Sequence, residues 1–218
     1  MGITLPSGTE AEFVECTGKP TMGLVIAPDI FGLRPLFDDM VARLSSVWSM
    51  NVCAVEPFPG LALGDDVDPR FAAVPNLDDE THLRDLVEAA DATECDRVGL
   101  IGFCIGGMYC LKAARSDRFT RIVSFYGMIR MPDAWKGPAQ GEPLDHLAAG
   151  HPGRVLAIVG ERDAYTPPDD VVALEAAGVN VVRYPDAEHG FAHAPERPAH
   201  RPADAADAFQ RAHTWLTA

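Results

Sequence analysis

Short apolar runs alternate with amphipathic helical stretches along almost the whole chain, and this alternation restricts the fold more than any other feature. Residues 22–27 (MGLVIA) form a continuous apolar run ending at Pro28-Asp29, as expected of a strand buried on both faces. Beyond the turn at Gly32, Leu36, Phe37, Met40, Val41, Leu44, Val47 and Trp48 recur at helical spacing. The pairing then repeats. NVCAV at 51–55 reads as a strand, and 78–92 as a helix with Leu83, Leu86, Val87 and Ala90 on one face. RVGLI at 97–101 predicts a strand that runs directly into a helix over about 107–115. Further strands are expected at 121–125, 154–159 and 179–184, and helices at 168–177 and about 203–215. Successive strands joined by helices imply an α/β domain with a mostly parallel sheet and helices on both faces. The Pro-, Gly- and Asp-rich stretch 56–76 reads as a loop with a short helix, and 131–153 as an irregular connection. No repeat or linker divides residues 1–218, which read as one domain.

Composition narrows what such a domain binds. At 218 residues one sizeable core is expected. With 18 Lys+Arg against 32 Asp+Glu, the formal charge is −14, and no basic cluster is available to neutralise phosphates. A nucleic-acid partner is therefore not expected. No apolar run approaches the roughly 20 residues that span a bilayer, and the first ten residues lack a basic segment followed by an apolar one. A cytoplasmic protein with no membrane partner is expected, as a monomer or small homo-oligomer. The five cysteines, at 16, 53, 95, 104 and 110, are odd in number and lack short paired spacings, which fits a reducing compartment. Neither Cys-x-x-Cys nor His-Glu-x-x-His occurs, so no metal is expected.

One constellation carries chemistry. Gly102-x-Cys104-x-Gly106-Gly107 lies between a predicted strand and a predicted helix, the setting of a nucleophile elbow. A nucleophile on so sharp a turn needs small neighbours, which Gly102 and Gly106 supply. The Ile105 N–H, at the start of the helix, would face a developing oxyanion, and the helix dipole favours a thiolate at Cys104. Asp163 follows the strand at 154–159, and His189 follows the strand at 179–184, giving the order nucleophile, acid, base. His189 would take the thiol proton and Asp163 would orient the imidazole. Plainer readings exist for each: a small buried hydrophobe for Cys104, a helix cap for Asp163. Cys16, Cys53, Cys95 and Cys110 read as buried hydrophobes, and His82, His146, His151, His200 and His213 as surface residues.

These residues resemble the dienelactone hydrolase (carboxymethylenebutenolidase) family. The resemblance spans nearly the whole chain and is strongest in Pro28-Asp29-Ile30-Phe31-Gly32, Gly102-Phe103-Cys104-Ile105-Gly106-Gly107, Glu161-Arg162-Asp163 and Glu188-His189-Gly190-Phe191-Ala192. It implies an α/β-hydrolase fold and hydrolysis of a lactone, such as a dienelactone from aromatic-compound degradation, with no metal or organic cofactor. It also implies an oxyanion hole from the Ile30 and Ile105 N–H groups. The family usually carries Glu where Asp29 stands, and that carboxylate is implied to hold the resting thiol. Two arginines in the family hold the substrate carboxylate; the matching position after the catalytic His is here His193, and the other region contains Arg70. Arg34 is a further candidate. Phe31, Phe103, Tyr126, Trp135 and Phe191 are expected to line an apolar pocket. Two alternatives stay open: a general carboxylesterase or thioesterase on the same scaffold, and a non-catalytic, redox-sensing thiol at Cys104.

Overall fold

The computed structural model describes residues 1–218. Eight strands form one sheet: β1 (Gly2–Thr4), β2 (Glu10–Val14), β3 (Gly23–Ala27), β4 (Asn51–Val55), β5 (Val98–Phe103), β6 (Arg121–Phe125), β7 (Val155–Gly160) and β8 (Asn180–Tyr184). Their order is β1-β2-β4-β3-β5-β6-β7-β8, antiparallel at β1–β2 and β2–β4 and parallel elsewhere. The helices are α1 (Pro35–Trp48), α2 (Val67–Ala73), α3 (Asp79–Ala92), α4 (Ile105–Lys112), α5 (Pro143–Ala148), α6 (Pro168–Ala176) and α7 (Pro202–Thr217). No helix is long and apolar enough to cross a membrane.

The period-2 alternation of each central strand divides its side chains between two cores. Leu24 and Ile26 of β3, Val52 and Ala54 of β4, and Ile101 and Phe103 of β5 pack against α1 and α7. Val25 and Ala27, Cys53 and Val55, and Val98 and Leu100 face the other way, toward α3, α4, α5 and α6. Burial on both faces is why these strands read as unbroken apolar runs.

Topology places the site. From β3 the chain crosses through α1 to β4 on one side, then returns through α3 to β5 on the other side of β3. The strand order therefore reverses between β3 and β5, and the loops after these strands open a crevice there. Residues 28–34 follow β3 and Cys104 follows β5, on strands that pair through Ala27 and Gly102.

Three features differ from expectation. β1 and β2 were not foreseen; Glu10-Ala11-Glu12-Phe13-Val14 carries two carboxylates and pairs between the edge strand β1 and β4. β5 runs two residues further than its apolar pattern suggested, and α4 begins at once after Cys104, with its continuation Ala113–Arg115 tightening to 3-10 geometry. His82 is buried, not superficial: its ring stacks on Tyr109 at 4.0 Å between centroids. Beside it, the fully buried Lys112 reaches Asp79 at 2.8 and 2.9 Å, an ion pair that local pattern does not reveal.

Candidate active site

The turn at Cys104 is strained and held by glycine contacts. Cys104 has φ 57° and ψ −117°, a conformation that costs a non-glycine residue on the order of 1–3 kcal/mol. Surrounding packing enforces it. A Cβ on Gly102 would stand 2.3 Å from the Gly106 carbonyl oxygen, and one on Gly106 would stand 2.0 Å from that of Ala27. A Cβ on Gly107 would meet the Phe125 oxygen at 2.6 Å. Helix α4 therefore approaches β3, β5 and β6 at backbone distance, with its first N–H groups facing the crevice. The Cys104 N–H donates to Phe125 O at 3.1 Å, which fixes the turn to β6.

Asp163 and His189 come to this turn from β7 and β8. Asp163 is buried, accepts the Tyr165 N–H on Oδ1 at 2.8 Å, and meets His189 Nδ1 with Oδ2 at 2.8 Å. The imidazole lies between the rings of Tyr165 (4.8 Å) and Tyr126 (5.2 Å), leaving Nε2 for the Cys104 sulfur. Burial disfavours the imidazolium, but the negative charge at Cys104 and the bonds to Asp163 and Cys104 outweigh it. The His189 pKa is pushed up to about 10. Burial instead raises the thiol pKa of Cys53 to about 12 and that of Cys110 well above its ordinary value, so neither supplies a nucleophile at neutral pH.

In the loop after β3, the three amides that follow Ile30 are tied. Phe31 N–H binds Asp29 Oδ1 (3.0 Å), Gly32 N–H binds Asp29 O (3.0 Å), and Leu33 N–H binds Glu56 Oε2 (2.9 Å). The Ile30 N–H has no acceptor in the chain. Arg70 Nη1 holds the carbonyl of the same residue at 3.2 Å.

Asp29 lines the same cavity as Cys104, but its carboxylate makes no hydrogen bond to the thiol. Arg34 grips its carboxylate with two bonds (2.7 and 2.8 Å), and His193 Nε2 meets Oδ2 at 2.7 Å. Burial raises the Asp29 pKa, but the bonds from His193 and Arg34 hold it well below the usual carboxylate range. Four expected substrate or pocket residues need correction. His193 has no exposed side-chain surface and stacks on Phe103 at 4.8 Å, so it cannot meet a substrate anion. Phe103 and Tyr126 are fully buried behind the site. Phe103 shares the face of Ile101, while the Tyr126 hydroxyl bonds to His193 Nδ1. Phe191 also lies in that core.

The cavity at Cys104 has a volume of about 260 Å³. Ile30, Phe31, Val67, Phe71, Trp135 and Tyr165 supply its apolar wall, with Asp29, His189 and Arg197 at the polar side. Arg197 was not foreseen. It stands eight residues past His189, and its guanidinium lies over Gly190, where a Cβ would be 2.9 Å from Nη1. That guanidinium makes no hydrogen bond or ion pair within the chain. An adjoining recess of about 430 Å³ contains Arg34, Arg70 and Arg197. No cluster of His, Cys, Asp and Glu suited to a metal ion occurs.

Known proteins share this plan. A Bradyrhizobium protein assigned as a 2-oxo-3-(5-oxofuran-2-ylidene)propanoate lactonase is 28% identical over 152 residues, 65% of this chain and 59% of that protein. Carboxymethylenebutenolidase 2 of Cupriavidus pinatubonensis is 26% identical over 166 residues, 74% of this chain and 68% of the relative. A solved structure from Klebsiella pneumoniae, assigned as a dienelactone hydrolase, superimposes with a TM-score of 0.85 over 99% of this chain and 97% of its own, at 24% identity. That likeness identifies the architecture as the α/β-hydrolase fold. Residues 63–218, well over half of the chain, match the family model itself, and the chain belongs to the dienelactone hydrolase family.

Proposed function

We propose that the protein hydrolyses a lactone or ester through an acyl-enzyme on Cys104. The observation that carries this reading is the strained turn at Cys104 with His189 beside it and Asp163 bound to His189 Nδ1 at 2.8 Å. The Cys104 proton passes to His189 Nε2, and the thiolate attacks the carbonyl carbon. Negative charge developing on the carbonyl oxygen falls to the Ile30 and Ile105 N–H groups. The carbon–oxygen bond of the lactone breaks, and the imidazolium returns its proton to the departing oxygen. Water, deprotonated by His189, then cleaves the thioester and restores the thiol. The net reaction consumes one water.

The cavity favours a small planar acyl group carrying an acid. Its wall is aromatic, and the unpaired Arg197 cation at the mouth suits a carboxylate. The names of the two relatives, a carboxymethylenebutenolidase and a furanylidene-propanoate lactonase, describe lactones of that kind. The test is turnover of 4-carboxymethylenebut-2-en-4-olide against phenyl acetate. Cys104→Ala and His189→Ala should each abolish both activities; turnover surviving both would refute the triad. Arg197→Gln should raise KM for the acidic lactone about tenfold or more, the worth of one charge-assisted hydrogen bond, and leave phenyl acetate unchanged. Equal effects on both substrates would favour a general carboxylesterase.

A further inference from the structure

The carboxylate next to the oxyanion loop is saturated. An ionised carboxylate offers about four accepting positions. On Asp29, Arg34 Nη1 (2.7 Å) and the Phe31 N–H (3.0 Å) take Oδ1, while Arg34 Nη2 (2.8 Å) and His193 Nε2 (2.7 Å) take Oδ2. His193 is itself locked, bonded through Nδ1 to the Tyr126 hydroxyl and lying flat on Phe103 with an interplanar angle of 21°. A bond to the anion requires hydrogen on Nε2, so in the neutral ring Nδ1 accepts and the Tyr126 O–H donates. Burial lowers the His193 pKa against the pull of Asp29, and burial raises that of Tyr126, so both are neutral near pH 7. Charge within the chain Tyr126–His193–Asp29–Arg34 is thus balanced at one end, between Asp29 and Arg34.

This chain of bonds ends on the oxyanion loop. Asp29 accepts the Phe31 N–H through its side chain and the Gly32 N–H through its carbonyl, the two amides that follow Ile30. Moving the carboxylate would release the Phe31 N–H and loosen the peptide that follows Ile30.

We infer that Asp29 takes no part in deprotonating Cys104 but anchors the loop that presents the Ile30 N–H, and that His193 is the positioning residue that holds it there. Of the two bases that line the Cys104 cavity, Asp29 has its acceptor positions filled and His189 is the one that remains. The S–H bond of Cys104 breaks toward His189 Nε2, leaving a thiolate–imidazolium pair. The role given to Ile30 rests on the hydrolase reading, whereas the role denied to Asp29 does not.

Two measurements decide this. The first is alkylation of the substrate-free protein by iodoacetamide at pH 7, with the thiolate absorbance near 240 nm. Asp29→Asn should alkylate within about twofold of the parent, while His189→Gln should slow at least about tenfold, because the thiolate is the nucleophile. Equal slowing in both variants would make Asp29 a base and overturn the inference. The second is steady-state hydrolysis of whichever ester the parent turns over. His193→Phe keeps the ring on Phe103 but loses the bond to Asp29. It should lower kcat about 10- to 100-fold, as misplaced oxyanion donors do, with alkylation unchanged. His193→Gln, whose amide N–H reaches the place of Nε2, should recover most of the loss. Unchanged kcat in His193→Phe, parallel loss of alkylation, or a Gln variant as slow as Phe would each overturn the positioning role. A parent that turns over no ester refutes the hydrolase reading, and alkylation still decides the part of Asp29.

Discussion

Replacing Gly106 by Ala tests the reasoning behind the site most directly. The added Cβ would lie 2.0 Å from Ala27 O and 2.4 Å from Pro28 O. Contacts of a real Cβ begin near 3.0 Å, so the two backbones must separate by about 1 Å. No rotamer change relieves this, because both obstructing atoms belong to the main chain. The segments forced apart are the start of α4 and the loop after β3, which carry the Ile105 and Ile30 N–H groups. A displacement of about 1 Å in aligned donors lowers kcat about 100-fold. Overpacking itself costs about 1–3 kcal/mol, and a domain of this size loses about 2–4 °C of Tm per kcal/mol. The expected loss is therefore about 2–12 °C. Thermal unfolding by circular dichroism and steady-state hydrolysis read the two effects, with iodoacetamide titration counting intact thiols. Gly153→Ala, where nothing lies within 4 Å of the added carbon, should change neither. A Gly106→Ala protein with kcat within threefold of the parent and Tm within about 1 °C would refute the argument.

Other outcomes follow from the same geometry. With the His189 pKa raised to about 10, the imidazolium that protonates the leaving group persists through neutral pH, so kcat/KM should fall only above about pH 10. Asp163→Asn removes a bond and a charge that favour the imidazolium, so the fall should move down toward 6.5; an unmoved profile would exclude coupling between the two residues. Lys112→Met leaves the Asp79 carboxylate buried without its cation and should cost about 3–5 kcal/mol, or about 10 °C of Tm. Although burial raises the Asp79 pKa, bonds from His146, the Gly141 N–H and Lys112 lower it overall. Its stabilisation is present above the unfolded value near 3.9 and is lost as pH falls through the folded one. Acid unfolding of Lys112→Met should therefore begin at higher pH, and an unchanged acid midpoint would count against the pair. Trp135→Ala enlarges the cavity of about 260 Å³ and should raise kcat/KM for bulky aryl esters relative to phenyl acetate, without changing Cys104 alkylation.

How much of this was legible depended on whether the cause was local. The strands at 51–55 and 121–125 have the bounds their apolar runs predict, because burial on both faces writes itself into consecutive residues. β2 escaped notice because it is short and carries Glu10 and Glu12, and its pairing with β4 spans some forty residues of sequence. The elbow was readable since its glycine requirement is local, and Asp163 and His189 were readable as residues just past strands. Arg197 carries no such signal. It sits in a run of turns, and only the path of that loop brings it over Gly190. Phe103 could have been placed from sequence alone. It lies two residues beyond Ile101 on the same strand, so alternation sends both to the α1 and α7 side, away from the crevice.

The groups left unbound are the strongest argument for where the chemistry lies. One free N–H means little, since loops often leave an amide to water. Here the exceptions come from separate elements and meet at one sulfur. The Ile30 N–H follows β3, the first amides of α4 follow β5, His189 Nε2 follows β8, and Arg197 arrives from the loop beyond it. Their immediate neighbours are bound: Phe31, Gly32 and Leu33 by Asp29 and Glu56, His189 Nδ1 by Asp163. Loose packing would leave gaps without regard to position. A loop tied at the three amides that follow Ile30 keeps that donor aimed before substrate arrives, which is the condition under which hydrogen bonds to a developing charge lower a barrier.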